Sequence, residues 1–107
     1  MARYFTYKRW LLEDSSQAET MVLVARDEVA PAYRQLEGCL GMTLEHIEGT
    51  RSYLAVQHWV SEEVATRTLE THESTEWYAR NRLVLHRWMA MLVLEEEWAT
   101  TELVSLP

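Results

Sequence analysis

Two β-rich runs separated by a Gly-Thr pair constrain this chain more than any other feature. Leu40–Glu48 and Arg51–Val60 flank Gly49 and Thr50. Glycine supplies the positive φ that a tight hairpin needs. With those two residues as the loop, Glu48 faces Arg51, His46 faces Tyr53, Leu44 faces Ala55, Met42 faces Gln57 and Leu40 faces Trp59. The second strand, Tyr53-Leu54-Ala55-Val56-Gln57-His58-Trp59-Val60, has no consistently polar side. A strand of that kind is covered on both faces. A chain of 107 residues has few helices with which to cover a sheet twice. The expected remedy is a second copy of the chain, that is, a homodimer.

The other elements follow from spacing and breakers. Arg3–Leu12, rich in Tyr, Phe, Thr and Trp, reads as a first strand. Glu13-Asp14-Ser15-Ser16 offers turn and N-cap groups. A helix over residues 16–36 places Ala18, Val22, Ala25, Val29, Ala32 and Leu36 on one stripe. Pro31 predicts a kink or break near residues 27–31, and Gly38 ends the helix. Ser61 caps a second helix to about Glu70, with Glu62 and Glu63 on its first turn. Thr71–Ser74 reads as a break before a further helix over about 75–92, whose end is open because Met89–Leu94 suits a strand as well. The last strand is expected at 96–105, after a solvated turn at Glu95-Glu96-Glu97. The order is then β-α-β-β-α-β with an antiparallel sheet, the α+β ferredoxin-like pattern, in one domain spanning 1–107.

Charge and composition narrow the partners. Asp and Glu outnumber Lys and Arg by 17 to 10, giving a net charge of −7 with no basic stripe. That argues against nucleic acid. No apolar run reaches the ~20 residues of a membrane span, and the N-terminus lacks a signal-peptide core. No membrane partner and a cytoplasmic location are the expectations. Cys39 is the only cysteine, so an intramolecular disulfide and a Cys-rich metal site are excluded. No His spacing suits a metal, and no phosphate loop or nucleophile elbow is present.

Leu36-Glu37-Gly38-Cys39-Leu40-Gly41 and His58-Trp59-Val60-Ser61-Glu62-Glu63 together resemble a known family. They are similar to the antibiotic biosynthesis monooxygenase domain of the dimeric α/β-barrel superfamily. Its members carry P-G-F/C-L-G entering strand two and W-x-S/D-x-E/A leaving strand three. Glu37 stands where the proline often is. The resemblance covers residues 3–105. It implies a homodimer whose sheets close into a barrel, with a cavity between each sheet and its helices. It also implies, for some members, oxidation of aromatic polyketides or quinols by O₂ with no cofactor. Trp59 matches a pocket-lining tryptophan of such relatives. Ala55 stands where they have an asparagine, Ala65 where they have a tyrosine, and Arg80 within one residue of an arginine. Haem-degrading relatives differ more. Strand one has no asparagine, Thr68 takes their tryptophan position and Trp77 their histidine position.

Cofactor-free oxidation needs an electron-rich phenol or dihydroquinone, an apolar pocket, a proton acceptor and a group steadying the anion. Histidine is the natural acceptor. His72, in the helix break, and His58, on strand three, are the candidate catalytic bases, and Arg80 the candidate anion partner. Trp59, Trp77 and Tyr78 are the candidate substrate-binding wall for a small aromatic or quinone-like ligand. His46, near the hairpin tip, and His86, on the last helix, read as surface residues. A large aromatic is also ordinary core material, so each wall residue has a packing role to weigh against binding. The alternative function is a non-catalytic small-molecule-binding or stress-related dimeric barrel, which the alanines at 55 and 65 favour.

Overall fold

The chain is described by a computed structural model over residues 2–105. Strand β1 (Tyr4–Leu12) leads into helix α1, built of Ala18–Val24, Ala25–Val29 and Ala30–Arg34 in succession. Strands β2 (Cys39–His46) and β3 (Ser52–Trp59) form the hairpin. Helices α2 (Glu62–Thr71) and α3 (Glu76–Met89) precede strand β4 (Leu92–Thr101). The sheet order is β2-β3-β1-β4, every neighbouring pair antiparallel. This is the expected ferredoxin-like arrangement.

The hairpin pairs His46 with Tyr53, Leu44 with Ala55 and Met42 with Gln57, as the sequence predicts. Two details differ. Trp59 pairs with Cys39 and not Leu40. Gly41, at φ +146, takes a backbone conformation open chiefly to glycine, and Leu40 becomes the extra residue of a bulge. The loop is also longer than two residues. Ile47 N–H donates to Ser52 O (3.0 Å) and Thr50 N–H to Ile47 O (3.2 Å). Gly49, at φ +77, takes the third position of that turn. The Thr50 hydroxyl locks it, donating to Ile47 O (2.7 Å) and accepting from Ser52 N–H (3.0 Å).

Pro31 does not break α1. A π turn over Ala25–Val29 absorbs it, with Ala30 N–H donating to Ala25 O. The wider turn relieves the crowding that a proline ring imposes on the preceding turn. Ser61 caps α2 as expected, its Oγ accepting from Val64 N–H (3.3 Å). The break after α2 is a 3₁₀ turn at His72–Ser74. Strand β4 is a correction. It starts at Leu92 and ends at Thr101, so Glu95-Glu96-Glu97 lies inside a strand and not in a turn. Glu95 is the out-of-register residue opposite the Arg9–Trp10 step. Its carboxylate accepts from Ser52 Oγ (2.6 Å) and Arg9 Nε (3.4 Å).

Alternation along the strands gives the sheet two unlike faces. Trp10, Leu12, Cys39, Ala55, Trp59 and Leu92 turn toward the helices and are buried. The helices are fastened there by their tryptophans: Trp77 Nε1 donates to Ala32 O (2.6 Å) and Trp88 Nε1 to Met21 O (3.1 Å). Phe5, Tyr7, Leu11, Leu54, Val56, Val93 and Trp98 fall on the other face by the same alternation. No described helix packs there. The Tyr7 and Trp98 rings stack on it at 5.2 Å and 5°. Within one chain, therefore, β3 is covered by helices on one face only.

Candidate functional site

Helix α2 ends where its last carbonyls meet the 3₁₀ turn, and His72 sits at that joint. Its Nδ1 lies 2.8 Å from Leu69 O. A carbonyl can only accept, so Nδ1 carries the proton of the neutral ring and Nε2 is left as a bare acceptor. The ring lies 5.6 Å from Trp77, whose indole lies 5.5 Å from Tyr33. His72 lines two open clefts. One, of about 400 Å³, is shared with Thr6, Lys8, Gln57, Leu69, Glu97 and Ala99. The other, of about 370 Å³, is shared with Leu36, Glu37, Thr68, Thr71 and Trp77. Both volumes fall in the range of small-molecule sites.

A part-buried polar chain, two of whose members line the first of these clefts, supports the site. Trp59 Nε1 donates to Thr6 Oγ1 (3.1 Å), and Thr6 Oγ1 donates to Gln57 Oε1 (2.9 Å). Thr6 and Gln57 are register partners on β1 and β3. Both project toward the helices. Burial pushes the Tyr33 phenol up from its ordinary pKa, and hydrogen bonding from Gln57 opposes the rise. Cys39 is buried nearby, its thiol donating to Gly41 O (3.5 Å). Loss of solvent pushes that thiol up as well.

The residues singled out from sequence are dispersed. His72 and Trp77 meet at the α2–α3 joint. Trp59 is wholly buried and touches the clefts only through Thr6. His58 projects from the helix-free face of β3, 3.4 Å from Thr43 Oγ1 and edge-on to Phe5 at 5.1 Å. It lines a separate cleft with Arg3 and Arg34. Arg80 is exposed and lies 3.9 Å from Glu76, one turn back on α3. Tyr78 bonds His86 Nε2 through its hydroxyl (3.0 Å). Neither Arg80 nor Tyr78 lines the clefts at His72. His46 lies against the hairpin, 2.8 Å from Thr50 O and stacked on Tyr53 at 4.7 Å. Ala55 and Ala65 are packed in the core.

Thr6, Gln57 and Tyr33 escaped the sequence reading. The available signal was Gln57 itself, an amide inside an otherwise apolar strand. A further cleft of about 460 Å³ lies between α1 and the β2–β3 edge, lined by Val22, Ala25, Arg26, Met42, Leu44 and Tyr53 among others. It shares no lining residue with the clefts at His72. Among the described residues no group of three or more His, Cys, Asp or Glu is placed to hold a metal ion. No described helix is long and apolar enough to cross a membrane.

No family model matches the chain, and no curated protein matches it in sequence. Solved structures do. HapK from Hahella chejuensis superposes with a TM-score of 0.72 at 14% identity, over 97% of this chain and 96% of that one. SnoaB from Streptomyces nogalater, described as a cofactor-independent oxygenase, gives 0.65 at 15% identity, over 100% and 99%. A Bordetella bronchiseptica protein, provisionally assigned as an antibiotic biosynthesis monooxygenase, gives 0.62 at 18% identity, over 99% and 100%. At these identities the likeness is one of fold. It is the fold that the resemblance in the sequence implied.

Proposed function

We propose that this chain is a monooxygenase that oxidises a small aromatic or quinol-like compound with O₂ and without a cofactor, acting as a cytoplasmic homodimer. One observation carries the reading: the bond to Leu69 O fixes the His72 tautomer and leaves Nε2 as a proton acceptor on a residue shared by two clefts, one lined by Leu69 and the other by Trp77. Nε2 takes the hydroxyl proton of the substrate. The resulting aryloxide gives one electron to O₂, and the radical pair recombines at a hydrogen-bearing carbon to form a peroxide. His72 returns its proton to the outer oxygen, and loss of the C–H proton with cleavage of the O–O bond releases water and leaves a new carbonyl. The protein holds the ring, accepts the proton and steadies the anion. His72 is the base, and Trp77 belongs to the wall. Trp59 supports the site from below. His58, Arg80 and Tyr78 point elsewhere, which argues against direct roles for them here. SnoaB, the oxygenase of like fold, supports the class of reaction.

The helix-free sheet face supports the homodimer. Its aromatic and aliphatic side chains suit a partner sheet, and two such sheets face to face make a barrel. A second reading has one specific observation behind it. Ala55 and Ala65 are packed in the core, where the resemblance implies a substrate-binding asparagine and a tyrosine. A non-catalytic small-molecule-binding or stress-related barrel follows from that loss.

Oxygen uptake separates the two. With a panel of 1,4-dihydroquinones and anthrones, the wild-type chain consumes O₂ above the uncatalysed rate, with or without chelator. His72→Ala lowers turnover by about 10²-fold or more, while His58→Ala leaves it unchanged. No turnover across the panel, with a dihydroquinone recovered bound and unaltered, would establish the binding protein instead.

A further inference from the structure

We infer that Gln57 is the recognition residue of the His72 cleft and selects ligands that carry an acceptor oxygen, a carbonyl or an aryloxide. The inference rests on reading that cleft as the ligand site, and it deepens that reading. Three hydrogen-bonding groups set the direction. Indole Nε1–H can only donate, and Trp59 gives its proton to Thr6 Oγ1. The Thr6 hydroxyl has one proton, and it goes to Gln57 Oε1. The acceptor end of the Gln57 amide is therefore occupied by Thr6. The other end is the NH₂ group, a donor only; one of its two protons meets the Tyr33 hydroxyl, and the second is left for a ligand.

Gln57 is almost fully buried and lines the cleft with Leu69 and His72. A buried amide whose donors lack a full set of partners is costly. A ligand oxygen that accepts from it relieves that cost, and a ligand without one does not. His72, which lines the same cleft, offers its bare Nε2, an acceptor. The cleft thus presents a donor and a proton acceptor to the same ligand. A compound with an oxygen to receive and a hydroxyl proton to give satisfies both. Trp59 and Thr6 act through Gln57 and are positioning residues.

The test compares 1-tetralone with tetralin, two ring systems of like size of which only the first has an acceptor oxygen. Binding is followed by amide NMR with the Gln57 side-chain NH₂ resonances resolved. The wild-type chain should prefer the ketone by about fivefold, near what one neutral hydrogen bond yields, and the Gln57 NH₂ signals should shift with saturation. Gln57→Leu should abolish the preference and leave tetralin binding intact. Thr6→Val, which unhitches the amide without removing it, should reduce the ketone-to-hydrocarbon ratio. A purely structural role would move both affinities together and leave that ratio alone. A preference that survives in both variants overturns the inference. So does ketone binding that shifts Ala25, Leu44 and Tyr53 and leaves Gln57 and His72 still. Either result leaves the His72 oxygen-uptake test untouched, and failure of that test alone leaves the recognition by Gln57 standing.

Discussion

Gly38 joins α1 to β2 in a space that admits no side chain. Its φ is +77, and a Cβ there would lie 2.1 Å from Val64 Cγ1. Backbone strain and collision act together at Gly38→Ala. Each is worth about 1–3 kcal/mol, so the expected loss is roughly 2–6 kcal/mol of unfolding free energy in urea. A variant as stable as the wild type would show that the joint yields freely. Cys39, one residue on, makes a different prediction. Burial raises its thiol pKa in the folded state. The folded chain thus favours the neutral thiol. The stability this contributes is present below the ordinary thiol pKa and is lost as pH rises through the folded value. Near pH 8, alkylation by iodoacetamide should run about tenfold or more slower than for a free thiol. Reaction at the free-thiol rate would contradict the burial. Glycine 38 was legible in sequence because a helix stop and a strand start meet there. Thr6 and Gln57 were not. Their pairing joins residues 51 positions apart, and no local pattern specifies which residue of β1 lies opposite which residue of β3.

Elements were legible where one signal dominated. Ser61, followed by two glutamates, marked the start of α2, and the serine caps it through Val64 N–H. Ser61→Ala should cost about 1 kcal/mol. Because α2 carries Leu69 and leads directly into His72, the same change should speed amide exchange along that helix before the sheet is affected. Equal exchange in both chains would place the helix start under other control. Strand β4 was misplaced for a physical reason. Met89–Leu94 is a short apolar run that suits helix or strand alike, and three consecutive glutamates mimic a turn. In the sheet those glutamates lie on an edge strand, where charge discourages further pairing. Glu95 also satisfies the hydroxyl of buried Ser52. Pro31 marked a real irregularity, but of another kind than a break. The rule that proline interrupts a helix is sound, but a π turn is a cheaper outcome than a break when both flanking segments bury alanine and valine against the sheet.

At the scale of the molecule, the proposed dimer rests on the helix-free sheet face. Trp98, with 37% of its surface exposed, and Val93, with 43%, lie on it beside Tyr7. Burying such side chains gains about 25 cal/mol per Å². Opposing that gain, each chain carries a net charge of −7, so two copies repel, and the repulsion weakens as salt screens it. Association should therefore tighten with ionic strength, the reverse of an assembly held by ion pairs. Sedimentation at micromolar concentration should give a species of twice the 12.6 kDa chain mass. Trp98→Glu puts a carboxylate into the centre of the proposed contact while leaving the helix face of the sheet untouched. It should yield a folded single chain with unchanged far-ultraviolet circular dichroism. A wild-type chain that sediments alone at these concentrations, at low and high salt, would mean that this face meets water and that one sheet is all the barrel there is.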